Sequence, residues 1–330
     1  MLALHLPPAA MTPTTFKTTK EGLDYASYPM RLFAKAKKLG VWDPAAVDLA
    51  QDARDWDGLA EDEQDLLLRL SAQFGAGEES VTTDLLPLLG WAAAEGRLED
   101  ELFLTAYLWE EAKHVETFDR FLREVARTDA DLDGYLTAAY RAHFADAQPA
   151  AMSRLRSDRS PEALVDALVT YQMGTEGILA ETGYHAYYTV LGERGIMPGM
   201  RQLVQNIQRD ESRHVGYGVY LLSRLVVEHG DPVWEQIEAR LSQTLVGALA
   251  VVGEMLAPYG SRVPFGISVE TFMAYAQGQF QKRYARVEKA RSKSLDEILY
   301  GSNADAGGAG MGDGAAVPAA PPQPLAPRPR

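Results

Sequence analysis

Long stretches of this chain carry apolar residues at helical spacing, and none alternates apolar and polar residues as a strand would. Between residues 61 and 300, apolar side chains recur every three or four positions, the period of one face of an α-helix. Clusters of glycine and proline interrupt the pattern and mark the ends of its segments. The pattern predicts seven helices, at 61–89, 98–127, 130–146, 161–192, 198–229, 232–258 and 267–289. The predicted fold class is therefore all-α.

The two ends of the chain differ from this helical region. Residues 1 to about 40 show no clear period, so we expect an irregular arm, and Trp42-Asp43-Pro44 is typical of a turn that leads into a short helix. The last thirty residues, 301–330, contain 6 Gly, 8 Ala and 6 Pro and offer almost nothing to a core. We predict one helical domain over residues 1–300 and a disordered tail over 301–330.

Glutamate and histidine residues interrupt the apolar stripes of four helices, and they do so in a pattern that occurs twice. The chain contains two copies of one pattern, a lone glutamate followed by Glu-x-x-His: Glu78 with Glu111 and His114, then Glu176 with Glu211 and His214. Residues three apart lie on one face of a helix, so each Glu-x-x-His can hold a metal ion between its two side chains. A carboxylate among leucines must be paired or bound to metal, because an isolated buried charge is very costly.

Four helices that each supply one glutamate, two of them with an added histidine, provide the ligands of a di-iron or di-manganese carboxylate site. The sequence therefore predicts a ferritin-like four-helix bundle with a dinuclear centre and additional flanking helices. Four acidic neighbours fall off the apolar stripes, and we expect them on the surface: Glu79, Glu110, Glu116 and Glu181.

Two further residues are candidates for a supporting role around the metals. A metal-bound histidine usually donates its second ring N–H to a carboxylate, so Asp210, directly before Glu211, is a candidate to orient His114. Trp42, near the start of the fold, is the second candidate. The alternative for Asp210 is an ordinary aspartate on a helix surface.

Tyr171 and Glu176 pose a geometric problem on the fourth helix of the bundle. They are five residues apart, about 140° around an ideal helix, so they cannot share one stripe. Gly174 would ease a bulge of one residue that turns Tyr171 inward as well, and such bulges are frequent at functional sites. Without a bulge, Tyr171 is plain core packing.

Composition narrows the chemistry. The chain has no cysteine, which excludes disulfides and thiolate metal sites, so any metal must use oxygen and nitrogen ligands. The net charge of −14 argues against nucleic acid and anionic membranes as partners. No apolar run is long enough for a transmembrane helix, and the start lacks the basic residues of a signal peptide, so we expect a cytoplasmic protein.

Four carboxylates and two imidazoles suit Fe and Mn with open positions for dioxygen. Two-metal hydrolysis is the weaker alternative.

With these residues in place, the chain resembles the ribonucleotide reductase small-subunit superfamily, and within it the ligand-binding oxidases with a manganese/iron centre. The similarity covers about residues 15–290. The motifs that carry it are Gly22-Leu23-Asp24-Tyr25, Met30-Arg31-Leu32-Phe33, Trp42-Asp43-Pro44, Gly77-Glu78-Glu79-Ser80-Val81-Thr82, Glu111-Ala112-Lys113-His114 and Asp210-Glu211-Ser212-Arg213-His214.

Three positions are similar to the oxidases rather than to conventional reductase subunits. The oxidases join a valine and a tyrosine by an ether crosslink that the metal site makes with dioxygen, and Val81 and Tyr171 occupy those positions here. Conventional subunits store a radical on a tyrosine four residues after the first metal-binding histidine, where this chain has Phe118. The tail also lacks the aromatic carboxyl terminus that binds the large reductase subunit.

The resemblance implies two metals with different ligands. Manganese would be held by Glu78, Glu111 and His114, iron would be held by Glu176, Glu211 and His214, and Glu111 would bridge the two. It also implies a homodimer and a long-chain fatty acid whose carboxylate bridges the metals inside an apolar channel. The electron donor and the physiological substrate are not implied.

Other functions stay open at this point. The chain could be a reductase small subunit without the radical tyrosine, which co-purification with a large subunit would favour, or a di-iron desaturase or N-oxygenase. As a non-enzyme, it could be a lipid-binding or metal-storage protein. Oxygen consumption by the reduced, metal-loaded protein would distinguish every oxidase from this lipid-binding or metal-storage protein.

Overall fold

Helices form all the regular secondary structure of the part of the chain that the structure describes, residues 16–301 of a computed structural model. The predicted disordered tail lies outside the described residues apart from Gly301. The α-helices are α1 Tyr28–Leu39, α2 Ala50–Asp57, α3 Glu61–Asp84, α4 Leu86–Ala94, α5 Leu98–Arg120, α6 Ala138–Arg141, α7 Gln148–Arg154, α8 Pro161–Leu168, α9 Glu181–Tyr187, α10 Pro198–His229, α11 Asp231–Leu256, α12 Val269–Glu288 and α13 Leu295–Tyr300. The predicted all-α class is confirmed.

Helix α10 shows how local sequence sets the helix ends. It begins with Pro198, whose fixed φ suits the first turn and whose missing N–H is not needed there. It ends at Gly230, which has φ of +73°, a conformation that glycine adopts without the strain a side chain would cause. These bounds are the predicted ones, 198–229.

The predicted irregular arm is wrong for residues 28–39, which form α1. This helix is only three turns long, so its period was too short to stand out in the sequence. Its inward residues Tyr28, Met30, Leu32 and Ala36 are buried, and α1 packs along α5. The predicted turn at Trp42-Asp43-Pro44 is confirmed, since a 3-10 turn at Pro44–Ala46 leads into α2.

Two other predicted boundaries are wrong. The first predicted bundle helix breaks at Leu85, between α3 and α4, and Pro87 occupies the first turn of α4. The helix predicted at 130–146 starts only at Ala138, after the Thr137 side chain caps its first turn. It continues through a π-helical turn into α7, where Pro149 is tolerated in the first turn.

Four long helical units build the bundle: α3, α5, the continuous helix 161–192, and α10. One hydrophobic cluster contains the start of α3 and the end of α5, with the end of helix 161–192 and the start of α10. A second cluster contains the opposite halves of the same four units. Units α3 and α10 therefore run in the opposite direction to α5 and helix 161–192, and the middle of the bundle lies between two apolar clusters.

Helix 161–192 contains a long π-helical segment, Val169–Ala180, between α8 and α9. Its wider turn brings residues five apart towards the same side. Tyr171 and Glu176 are both buried, with 0% and 3% of their surface exposed. The predicted bulge that turns Tyr171 inward is confirmed, although it is far longer than one residue.

Helix α11, with the turn that follows it, is long and apolar enough to cross a membrane by length and composition alone, with mean hydropathy 1.3 over its best window. In the fold it packs along the π-helical segment and α12. Its inward residues, among them Trp234, Leu241 and Ala248, are buried, and 33% of the apolar window is buried in all.

Candidate metal centre

The six residues of the repeated pattern meet in the middle of the bundle. One group contains Glu78, Glu111, His114 and Glu211, and a second contains Glu111, Glu176, Glu211 and His214. Within each group the potential ligand atoms lie within 4.8 Å of one another. Glu111 and Glu211 belong to both groups. The geometry therefore offers two adjacent positions for cations, with two carboxylates placed between them.

The atoms that face the centre lack partners within the protein. Both oxygens of Glu111, Nδ1 of His114 and His214, and one oxygen each of Glu176 and Glu211 are buried without a hydrogen bond. Unpartnered buried polar atoms are rare because each one loses its hydration on folding. A pair of metal cations would satisfy all of them, so the residues present fit a dinuclear site.

The pKa values of the buried carboxylates also favour a dinuclear metal site. Burial raises the pKa of Glu78 to about 8, against the opposing effect of His114. Burial and the neighbouring Glu211 raise the pKa of Glu176 well above its usual value. Burial also disfavours the charged form of Glu111, but the nearby imidazoles outweigh this and hold its pKa at about 2. Cations beside Glu78 and Glu176 would favour the charged form of both carboxylates.

Each histidine is supported from the helix that carries the other one. Nε2 of His114 lies 3.5 Å from Oδ2 of Asp210, and Nε2 of His214 lies 2.9 Å from Oε2 of Glu110. Asp210 and Glu110 each directly precede the glutamate of a Glu-x-x-His motif. A carboxylate at Nε2 holds the proton there and leaves Nδ1 free to bind a metal.

Glu110 was predicted on the surface, and this prediction is wrong, since its side chain is fully buried. The reason is that α5 packs against α3 on one side and α1 on the other, so its buried surface is wider than one stripe. The paired motifs contained the missed signal, because Glu110-Glu111 repeats Asp210-Glu211.

Asp210 is the centre of a buried network, not a surface aspartate. It accepts hydrogen bonds from Nε1 of Trp42 at 2.8 Å and from Nζ of Lys113 at 2.9 Å, and Arg213 lies against its other oxygen. Burial disfavours its charge, but His114, Arg213 and Lys113 lower the pKa of Asp210 below its usual value. Trp42 also stacks near His114, with ring centroids 6.2 Å apart.

Two tyrosines beside the centre were missed by the sequence reasoning. Tyr107 donates its O–H to Glu176, and its ring stacks on His214. The hydroxyl of Tyr184 lies 3.3 Å from Oε1 of Glu211. Tyr107 lies four residues before Glu111 on the same helical stripe, a spacing that could have singled it out.

The expected crosslink pair, Val81 and Tyr171, belongs to the apolar cluster that also contains Tyr107. Val81 and Tyr171 are both buried, and the hydroxyl of Tyr171 has no hydrogen-bond partner. Burial raises the pKa of Tyr171 well above its usual value, so the phenol keeps its proton.

A pocket extends from the metal centre between α3, helix 161–192, α11 and α12. It encloses about 730 Å³ of empty space, including its opening to solvent. Glu78, Glu111, Glu176, Glu211 and Val81 lie at its inner end. The rest of the wall is mostly apolar, formed by Phe74, Leu179, Val251, Met255 and Phe272 among others.

The other acidic neighbours divide into two groups. Glu79 and Glu116 are exposed, as predicted. Glu181 was also predicted on the surface, and this prediction is wrong, since only 6% of it is exposed. The reason is that α12 covers this side of α9, where Arg283 lies 3.2 Å from the Glu181 carboxylate.

The bundle and its centre define a ferritin-like protein with a dinuclear carboxylate–histidine site. The sequence profile of the ribonucleotide reductase small chain matches residues 30–280. The structure also resembles an R2-like ligand-binding oxidase with an aerobically reconstituted Mn/Fe cofactor, at 34% identity and a TM-score of 0.80, over 83% of this chain and 97% of that chain. For the R2-like ligand-binding oxidase from Sulfolobus acidocaldarius, the identity is 34% and the TM-score 0.79, over 86% of this chain and 98% of that chain. The chain belongs to the ribonucleotide reductase small-chain family and, within it, to the R2-like ligand-binding oxidases, so it is an oxidoreductase of the dinuclear-metal type.

Proposed function

We propose that this protein is a dioxygen-activating Mn/Fe oxidase. The observation that carries the proposal is the pair of overlapping ligand groups that share Glu111 and Glu211. Support comes from the relatives, whose cofactor is Mn/Fe. Bound manganese and iron would pass electrons to dioxygen and take electrons from a nearby C–H or O–H bond.

We assign the two metal positions as follows. Glu78, Glu111 and His114 would hold manganese, and Glu176, Glu211 and His214 would hold iron, with Glu111 as a bridge. Both sites present only oxygen and nitrogen ligands, which suit either metal. Asp210 and Glu110 would hold the imidazole rings in the tautomer that binds through Nδ1. Tyr107 and Tyr184 would orient the carboxylates of Glu176 and Glu211.

The first oxidation would take place within the protein itself. The Cβ–H of Val81 and the O–H of Tyr171 would each lose a hydrogen atom, and a C–O ether bond would join the two residues. The two electrons and two protons released would be taken up in the reduction of dioxygen. Support comes from the position of Val81 one turn beyond Glu78 and from the unpartnered hydroxyl of Tyr171.

The apolar pocket would bind a long-chain fatty acid or a similar lipid. Four carboxylates at its inner end repel an anion on their own, so a ligand carboxylate could lie there only against bound metals. The apolar wall would then bury the chain, which contributes roughly 0.8 kcal/mol per methylene group. The similar proteins are ligand-binding oxidases, which agrees with an occupied pocket.

Further properties belong to the same proposal. We expect a homodimer, as in the resemblance drawn from the sequence, and Trp109 on α5, with 49% of its surface exposed, offers apolar area for such contact. Light scattering of the purified protein measures this directly. We also expect a cytoplasmic protein that receives electrons from a separate donor.

The experiment uses the intact mass of the protein. Reduced apo-protein is loaded with Mn and Fe and then exposed to air, and the wild type should lose two hydrogen atoms, with its Val81 and Tyr171 peptides joined in a digest. Tyr171→Phe is the matched control, which should bind metals and consume oxygen without this mass loss. An unchanged wild-type mass, despite full metal loading, would show that the protein does not make the crosslink.

A further inference from the structure

A row of tyrosines leads away from the metal centre between α5 and α10. Tyr107 forms its inner end, with its O–H donated to Glu176 and its ring centroid 3.5 Å from that of His214. The ring of Phe103 follows, 5.9 Å from Tyr107 and 5.1 Å from Tyr217. The row therefore begins in direct contact with two of the proposed metal ligands.

The row continues towards the outside of the bundle. The ring of Tyr220 lies 6.1 Å from that of Tyr217, and the ring of Tyr28 lies 5.1 Å from that of Tyr220. The guanidinium of the half-buried Arg31 lies 5.3 Å from the centre of the Tyr28 ring. Neighbouring aromatic rings at such distances exchange electrons rapidly, so the row connects the centre to a region near the protein surface.

Tyr217 donates its hydrogen bond to a carboxylate that is not one of the proposed metal ligands, whereas Tyr107 donates to Glu176, which is one of them. The O–H of Tyr217 donates to Oδ1 of Asp100 at 2.8 Å, and Nε of Arg97 lies 3.1 Å from the other oxygen of that carboxylate. A phenol that loses an electron becomes a strong acid, and a carboxylate at this distance can accept its proton. Tyr217 can therefore be oxidised to a neutral radical without leaving a net positive charge on its buried ring.

We propose that this row supplies electrons to the oxidised metal centre when neither crosslinking nor a substrate does so. The resulting radical is then located on Tyr217. The inference rests on the proposed dioxygen chemistry. One electron passes from Tyr217, across Phe103 and through Tyr107, to the oxidised metal centre, which is reduced by one electron. The phenolic proton moves to Asp100. A one-electron reductant such as ascorbate then restores Tyr217, and Asp100 returns the proton.

Tyr187 provides a matched control within the same protein. It is as deeply buried as Tyr217 and also belongs to an aromatic cluster near the centre, 5.8 Å from the ring of Phe74. Its hydroxyl, however, bonds to the hydroxyl of Ser71 at 2.7 Å. A hydroxyl is a far weaker proton acceptor than a carboxylate, so Tyr187 should not hold a stable radical.

The test uses a protein without the Tyr171 hydroxyl, which would otherwise supply electrons through the crosslink, and detects the radical directly. Reduced Tyr171→Phe protein, loaded with Mn and Fe, is mixed with dioxygen and frozen for electron paramagnetic resonance. We expect a tyrosyl radical that narrows when the protein contains ring-deuterated tyrosine. Adding Tyr217→Phe should abolish this signal, adding Tyr187→Phe should leave it in place, and adding Asp100→Asn should remove it although Tyr217 is still present.

Oxygen consumption, measured on the same samples, separates this inference from the proposed function. If oxygen is consumed and the radical persists in the Tyr217→Phe protein, the tyrosine route is wrong while the oxidase function stands. If oxygen is not consumed, hydrogen peroxide replaces it as the oxidant of the metal-loaded protein, and the same variants decide the route. Loss of the signal only upon replacement of Tyr217 or Asp100 supports the proposal under either oxidant.

Discussion

Oε2 of Glu110 lies 2.9 Å from Nε2 of His214, although the two residues belong to different helices and different copies of the Glu-x-x-His pattern. Asp210 faces His114 from the corresponding position at a longer distance, with its Oδ2 3.5 Å from Nε2. Each helix thus supplies one carboxylate that faces the centre and another that holds the histidine of the opposite helix. The two halves of the site support each other, so neither imidazole depends on its own helix for orientation.

Replacement of Glu110 by glutamine tests this crossed support. The amide keeps the shape and still accepts a hydrogen bond, but it removes the negative charge that strengthens His214 as a ligand and pairs with Arg213. Loss of such a supporting group typically weakens metal binding roughly 10- to 100-fold. Titration with metal should show the loss mainly at one of two positions. Glu116→Gln, an exposed change on the same helix, is the control and should bind metals as the wild type does.

Replacement of Glu111 by alanine should disturb both metal positions, because Glu111 belongs to both ligand groups. Glu78→Ala should weaken mainly one position, because Glu78 belongs to one group only. Elemental analysis and metal spectra of the two purified variants make the comparison. Two metals per chain with unchanged spectra in the Glu111→Ala protein would refute its place as the bridge.

Much of this architecture can be predicted from sequence, and the failures have a common physical cause. The bounds of α10 follow from Pro198 and Gly230, and the inward face of each bundle helix follows from its apolar period. Glu110 and Glu181 were misplaced because the period of a single helix does not show how many neighbours cover it. Helix α1 covers the side of α5 that carries Glu110, and α12 covers the side of α9 that carries Glu181.

Gly183 lines the pocket next to Phe74. A Cβ at this position would overlap the ring of Phe74, which lines the pocket and stacks between Phe118 and Tyr184 at centroid distances of 4.8 and 5.2 Å. The ring must therefore shift in Gly183→Ala, and overpacking of this kind costs typically 1–3 kcal/mol.

We expect the Gly183→Ala protein to retain less lipid after purification, measured by mass spectrometry of extracted ligand, and to unfold at a lower temperature. Gly192→Ala is the control, since a Cβ there meets no atom within 4 Å. Equal lipid content in both variants would mean that Phe74 moves away from the pocket without narrowing it.

His143 should make the stability of the protein depend on pH. Its Nε2 is hydrogen-bonded to Thr175 at 2.7 Å, and burial, with a smaller effect of Arg240, lowers its pKa from 6.5 to about 4. Above pH 6.5 the imidazole is neutral in both the folded and unfolded chains. Between pH 6.5 and 4 only the unfolded chain takes up the proton, so the folded state loses about 3 kcal/mol of relative stability over this window.

Urea unfolding of the wild type and of His143→Gln at several pH values isolates this contribution, because the carboxylates common to both proteins cancel in the difference. The wild type should lose more of its unfolding free energy than the variant as the pH falls from 6.5 to 4. The same comparison with His229→Gln, which removes an exposed imidazole, should give a much smaller difference. Parallel pH profiles for the wild type and His143→Gln would mean that His143 takes up its proton as readily in the folded chain as in the unfolded one, and that the burial of its ring against Thr175 does not hold it neutral.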